Sequence, residues 1–251
     1  MKLIASLAAI FVEILLLTSA LAHGVAEAAK QSTIESVLGV PDPLKVILVS
    51  STIVAFFVVL SLAFKKSLRE RHKKIIFGLI AVPIAAATLY LVGVTLLLNF
   101  NSATGGPVHW HADIEVWACG QLYHFVHSTG WDNKVGEPLM HLHNDDRLHI
   151  EGVVVKMQDI ELGGFFRAVG GSFTPESITM PTTTGVKKWS NNDLCNGKSA
   201  WLYMFVNDRL EPKMDEYIIS PYTNVPPGDR IKIVFSEKPV DKINPNFGVE
   251  P

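Results

Sequence analysis

Val108-His109-Trp110-His111-Ala112-Asp113-Ile114-Glu115-Val116-Trp117-Ala118-Cys119 alternates in character from end to end. Successive side chains of a strand point to opposite faces, so a period of two is the signature of a half-buried strand. Val108, Trp110, Ala112, Ile114, Val116 and Ala118 form an apolar face, and His109, His111, Asp113, Glu115, Trp117 and Cys119 form the other. Residues 139–155 follow the same rule. Met140, Leu142, Leu148 and Ile150 are apolar, whereas His141, His143, His149 and Glu151 share the opposite parity. Asn144-Asp145-Asp146 interrupts this run and predicts a turn or bulge, because Asn and Asp tolerate left-handed backbone.

Working outward, residues 162–169 predict a short helix, and residues 199–206, 216–219 and 230–235 predict later strands. Pro226-Pro227-Gly228-Asp229 supplies a turn into the last of these. Residues 174–196 are polar and without clear period, so they read as loop, and the proline-containing tail 239–251 reads as extended. The expected fold of residues 108–238 is a mainly antiparallel β domain of the α+β class with one short helix.

The chain has 251 residues, and their distribution is uneven. Residues 1–100 hold nine basic and five acidic residues, whereas residues 101–251 hold thirteen basic and nineteen acidic. Residues 46–64 are nineteen in number and carry no charge; as a helix they would extend about 28 Å, close to the thickness of a hydrocarbon core. Residues 75–100 form a second uncharged run with Gly78, Pro83 and Gly93, which membrane helices tolerate. Six of the ten residues 65–74 are Lys or Arg. Short basic loops stay in the cytoplasm. This predicts a transmembrane hairpin over 44–100 around a cytoplasmic loop 65–74, a multi-pass location in the cell membrane, and a C-terminal domain outside the cytoplasm beyond a polar linker, 101–107.

Residues 1–22 begin with Lys2, run through an apolar stretch and end Ser19-Ala20-Leu21-Ala22. They read as a signal peptide or as an uncleaved first transmembrane helix, with Glu13 inside the apolar run as an argument for retention. Residues 23–43 are then an extracytoplasmic loop. Cleavage after Ala22 would leave His23 with a free α-amine, a second nitrogen donor for copper.

Seven of the nine histidines lie between His109 and His149. At this usage about 0.3 His-x-His pairs are expected by chance, yet two fall within 35 residues. Each pair presents two imidazoles to one side of a strand, and pairing the strands would gather His109, His111, His141 and His143, with His149 as a fifth candidate. Neutral imidazole suits copper, zinc, nickel and iron, while Asp113, Glu115 and Glu151 are candidate oxygen ligands or acceptors that orient a ring. His124 and His127 lack the doublet spacing and are left outside the site. Cys119 and Cys195 are the only thiols. On the oxidising side of a membrane their pairing is the simplest expectation, and a thiolate metal ligand is the alternative.

These residues carry a resemblance. His109-Trp110-His111, Glu137-Pro138-Leu139-Met140-His141-Leu142-His143, His149-Ile150-Glu151, Leu162-Gly163-Gly164-Phe165-Phe166, Met204-Phe205-Val206-Asn207 and Gly228-Asp229-Arg230-Ile231 together resemble uncharacterised membrane-anchored prokaryotic proteins with paired His-x-His motifs. The resemblance covers roughly residues 107–237 and implies a shared site without naming a reaction. The closing segment also resembles β-grasp (ubiquitin-like) domains, with Asp208 standing where their turn has glycine. Gly136 to His143 with Glu151 is superficially similar to the cupin motif, but the seven residues between His143 and Glu151 depart from its shorter spacing.

The acidic soluble half argues against nucleic acid as a partner, since phosphate neutralisation needs a basic face. There is no Walker A loop and no G-x-G-x-x-G after a strand, which argues against nucleotide chemistry. The expected function is a membrane-tethered extracytoplasmic metal-binding protein, copper first and zinc second, acting in metal binding, delivery or sensing. Its expected partners are the lipid bilayer and a metal-donor or acceptor protein. A metalloenzyme with an open His-ligated site and hydrolytic or oxygen chemistry is the alternative, and a structural or partner-binding module without metal is the third reading.

Overall fold

In the computed structural model the described residues are 39–129, 133–220 and 228–251. The expected signal peptide or first helix with Glu13, the loop up to residue 38 with His23, and Pro226 and Pro227 lie outside them. The chain divides into two units, residues 1–97 and 98–251.

In the first unit, Asp42 starts helix α1 (Pro43–Phe64): its carboxylate accepts from the backbone N–H of Leu44 at 2.7 Å and of Lys45 at 3.3 Å. Pro43 at the first helical position has no N–H to leave unpaired. Helix α2 (Glu70–Phe100) begins upstream of its apolar run, so Arg71, Lys73 and Lys74 belong to its first turns. Long unbranched side chains favour helix, and Lys73 pairs with Glu70 at 2.7 Å. Both helices are long and apolar enough to cross a membrane.

The second unit is built on one sheet. Its strands are β1 (Pro107–Ala118), β2 (Gln121–Tyr123), β3 (Val135–Gly136), β4 (Met140–Leu142), β5 (Arg147–Val153), β11 (Trp201–Val206), β12 (Arg209–Leu210) and β13 (Gly228–Ser236). The order is β12-β11-β13-β1-β5-β4-β3, with β2 also pairing β1. The pairings are antiparallel except at the centre, where β1 and β13 run parallel. The domain is thus mainly antiparallel, with one parallel pair that makes the sheet mixed. Asn207 and Asp208 join β11 to β12 with φ of 51° and 66°. Asp takes this left-handed conformation more readily than most residues, so a glycine is not required there.

One face of the sheet carries the core. Ala112, Ile114, Leu148, Ile150, Ile231, Ile233 and Met204 are buried beneath helix α3 (Leu162–Ala168), whose Phe165 and Phe166 are fully buried. The rest of the cover corrects an expectation. Residues 174–196, read as loop, contain most of a meander of β6 (Ser172–Thr174), β7 (Ser177–Thr182) and β8 (Gly185–Ser190), followed by β9 (Leu194–Cys195), which pairs with β10 (Lys198–Ser199). Ile178, Met180 and Thr182 alternate inward along β7. Pro181 masks the pattern by reading as a breaker, but its carbonyl accepts the N–H of Val126. Residues 216–219 are likewise not a strand. A 3-10 turn, Met214–Glu216, takes in the first of them, and Ile218 makes a single bridge to Glu161.

The opposite face is polar at one end and covered at the other. Glu115 and Lys232 are cross-strand partners, both buried, 3.6 Å apart. Glu115 accepts from Gly248 N–H, and Lys232 donates to the carbonyls of Asn246 and Val249. These contacts tie down residues 246–249 of the tail expected to be merely extended. Phe205, Val234 and Ile243 make a small apolar cluster there, with Trp117 against it. Cys119 and Cys195 are joined in a disulfide across 76 residues of sequence.

Candidate metal centre

The polar face of β1, β5 and β4 gathers the histidines because their registers align. His111 lies opposite His149 on β5, His149 lies opposite His141 on β4, and His109 lies opposite Glu151. The hairpin between β4 and β5 keeps parity through the turn at 143–146. Asn144 and Asp146 supply it with φ of 56° and 50°, so Met140 and Leu142 still pair with Ile150 and Leu148 in the core.

Hydrogen bonds orient the rings. Nδ1–H of His141 donates to the Glu137 carbonyl at 3.3 Å, and Nδ1–H of His143 donates to the Asn133 carbonyl at 2.8 Å. A carbonyl only accepts, so both rings carry a proton on Nδ1, and in a neutral ring Nε2 is then the lone-pair nitrogen. Those two Nε2 atoms face one another at 3.1 Å. Two lone pairs repel at that distance unless a cation lies between them, and nitrogens sharing a tetrahedral ion with bonds of about 2.0–2.1 Å stand about 3.3 Å apart. His149 repeats the logic with its nitrogens exchanged. Its Nε2 is 3.1 Å from the Asp145 carboxylate, which leaves Nδ1 as the nitrogen available to a ligand. Nδ1 is buried and has no hydrogen-bond partner among the described residues. An orphaned buried nitrogen costs about 1–3 kcal/mol, a penalty that ligation removes.

Glu151 completes the cluster. Its Oε1 is 3.4 Å from His109 Nε2 and 3.9 Å from His143 Nε2, and its Oε2 is 3.6 Å from His141 Nε2 and 3.1 Å from Lys134 Nζ. His109 Nε2 and His111 Nε2 are 3.1 Å apart. The donor atoms fall into two sets, His141, His143, His149 and Glu151, and His109, His111 and His149, each within 4.8 Å. The first set is largely buried, with His141 fully so; the second opens to solvent through His109.

Charge states suit cation ligation. Burial, helped by Lys134 and opposed by Glu151, pushes His141 down to about 4, so the ring is neutral at neutral pH. Burial and the neighbouring His149 lower His111. Burial would raise the Asp145 and Glu151 carboxyls, but the hydrogen bonds from His149 and Lys134 respectively help bring each below its ordinary range.

A comparison with protein families, curated proteins and solved structures finds no match to this chain. What the site can do is therefore read from its own geometry.

The structure brings His109, His111, His141, His143, His149 and Glu151 together, and moves two expected neighbours elsewhere. Asp113 pairs with Arg147 Nε at 2.8 Å, and Glu115 holds Lys232 and the tail. Both sit on the histidine face of β1 but farther along it, where Arg147 of β5 meets Asp113, and Lys232 of β13 and the tail meet Glu115. The disulfide removes both thiols from the ligand set. His124 lies outside the cluster, with Nδ1 2.6 Å from Asp146. Asp145, Lys134 and the carbonyls of Asn133 and Glu137 were not singled out from sequence. Asp145 had a signal: it is four residues before His149, inside a turn whose ends are the two histidine strands.

Two glycines permit the close approach of these strands. Gly228 has φ of 134°, and a Cβ there would lie 1.8 Å from the His111 carbonyl. Gly136 has φ of 125°, and its Cβ would meet the Met140 carbonyl at 2.6 Å. Gly228→Ala is expected to destabilise the domain by about 2–3 kcal/mol through strain and displaced backbone. It is also expected to weaken metal binding at His109 and His111 more than at His141 and His143. Denaturant titration and metal competition on the full chain check both; an alanine accepted without loss of stability would contradict the packing described.

Proposed function

We propose that this protein is a membrane-tethered, extracytoplasmic metal-binding protein that takes copper first and zinc second, for metal binding, delivery or sensing. The observation that carries the reading is the set of imidazole nitrogens left available by the hydrogen bonds that orient the rings. Nε2 of His141 and Nε2 of His143 face one another while a backbone carbonyl holds the opposite nitrogen of each ring, and His149 has Nε2 against Asp145 and a buried Nδ1 without a partner among the described residues. This is how proteins orient imidazoles for a metal. Copper precedes zinc because nitrogen sites follow the Irving–Williams order.

Two apolar helices flanking a Lys/Arg-rich loop favour a cytoplasmic loop and an exported C-terminal domain in a multi-pass protein of the cell membrane. The disulfide fits that oxidising side. A partner protein would donate or accept the ion. The likeness to uncharacterised membrane-anchored prokaryotic proteins with paired His-x-His motifs is proposed on the same residues. The β-grasp likeness is proposed on the parallel β1–β13 pair at the centre of the sheet.

One observation favours the metalloenzyme alternative. A cavity of about 290 Å³, lined by Asp113, His124, Asp145, Asp146 and Arg147, shares Asp145 with His149. Hydrolysis of an activated ester by the metal-loaded protein, lost in a His149→Ala variant, would support catalysis; a loaded but inert protein would support carriage or sensing.

The test of the main reading is elemental analysis of the full chain in detergent, beside a His109→Ala/His141→Ala variant, after equal exposure to copper and zinc. Stoichiometric metal in the natural protein and a loss in the variant are expected. Equal metal content in the two proteins would sink the reading.

A further inference from the structure

We propose that the cluster holds two metal ions, one on each His-x-His pair, with the Glu151 carboxylate between them. The proposal rests on the metal-binding reading and deepens it. The middle strand β5 supplies His149 and Glu151, and the strands on either side each supply one pair of histidines, β1 on one flank and β4 with the residue after it on the other. Adjacent strands are about 4.8 Å apart, so the flanking pairs rise from strands separated by roughly twice that distance. Their donors accordingly separate into two sets that share His149.

One ion cannot serve both sets. Ligands of a single ion with bonds near 2.1 Å are at most about 4.2 Å apart. His149 has one nitrogen to give, because Nε2 is engaged by Asp145. An ion on His141, His143 and His149 Nδ1 therefore leaves His109 and His111, with Nε2 atoms 3.1 Å apart, as a second chelating pair.

Glu151 connects the two. Its Oε1 lies 3.4 Å from His109 and 3.9 Å from His143, and its Oε2 lies 3.6 Å from His141, so one carboxylate reaches both pairs. A carboxylate with an oxygen for each cation also offsets the repulsion between ions about 3.5–4 Å apart, the usual spacing of two-metal sites. Lys134 Nζ, 3.1 Å from Oε2, holds the carboxylate in place and must give way when that oxygen takes an ion.

The experiment is zinc stoichiometry on the full chain in detergent, measured by elemental analysis after dialysis against a weak chelator. Two ions per chain are expected in the natural protein. One is expected in the His109→Ala/His111→Ala variant, whose His109 is exposed enough for the fold to survive, and one in Glu151→Gln, which keeps shape but loses the charge. His124→Ala, outside the cluster, is expected to keep two. Tryptophan fluorescence confirms that each variant is folded. A single ion in the natural protein would overturn the two-ion proposal and leave the metal-binding reading standing. No ion at all would overturn both. Two ions retained by the His109→Ala/His111→Ala variant would remove the exposed pair from the site and overturn the proposal as well, and two retained by Glu151→Gln would remove the carboxylate from between the ions.

Discussion

Replacing His141 and His143 together by alanine is expected to weaken copper binding at the buried donor set by roughly a thousandfold or more. Losing even an outer hydrogen-bond partner of a metal ligand costs about 10–100-fold in affinity, and this variant deletes two ligands whose tautomers are set by backbone carbonyls. The change removes the more buried of the two donor sets, including the fully buried His141. Competition with a chelator of known affinity measures it. The linked effect is on stability: a ligand at a hundred times its Kd stabilises the folded state by about 2.7 kcal/mol. Metal should raise the unfolding midpoint of the natural protein clearly more than that of the double variant, which keeps only the His109 and His111 pair. His124→Ala provides the control, because His124 is bound to Asp146 outside the cluster. Equal loss of affinity in that control would show that the measured sites are scattered surface histidines.

Removing the disulfide is expected to cost about 4 kcal/mol. The bond closes a loop of 76 residues, and the chain-entropy relation gives a value of this size for such a loop. Cys195 is fully buried in the core, while Cys119 lies at the turn from β1 to β2, so the bond anchors the far end of the strand that carries His109 and His111. All five tryptophans of the chain lie beyond residue 101, so tryptophan fluorescence during denaturant titration of the full chain reports on the second unit alone. The Cys119→Ala/Cys195→Ala variant should unfold at clearly lower denaturant, with a slope that is unchanged or steeper because its unfolded chain is no longer cross-linked. An unchanged midpoint would mean that the sheet and helix α3 hold the domain without the cross-link.

The parts of the fold that could be read from sequence are those in which one residue type marks each face. His109 and His111 against Trp110 and Ala112, and His141 against Met140 and Leu142, reveal both strands and their parity. The register that sets His111, His149 and His141 side by side follows once these strands pair around the turn at 143–146. The meander over residues 172–190 was hidden because Ser, Thr, Lys and Pro181 blur the alternation of Ile178 and Met180, and its strands gain stability by covering the sheet. The parallel pairing of β1 with β13 joins segments more than a hundred residues apart and leaves no local signal. The same distance explains Glu115. Its parity matches that of His109 and His111, but its partner, Lys232, is set by the neighbouring strand and the returning tail. Asp145 shows the converse, since the turn chemistry that makes it look like a loop residue also places its carboxylate on His149.

The most direct test of an imidazole-built metal centre is the X-ray absorption spectrum at the copper edge of the copper-loaded full chain in detergent. The expected first shell is nitrogen and oxygen at about 2.0 Å, with the outer-shell scattering of at least two histidine rings per ion, and this scattering should fall in the His141→Ala/His143→Ala variant. A first shell without histidine scattering, or a spectrum identical in the variant, would contradict the account.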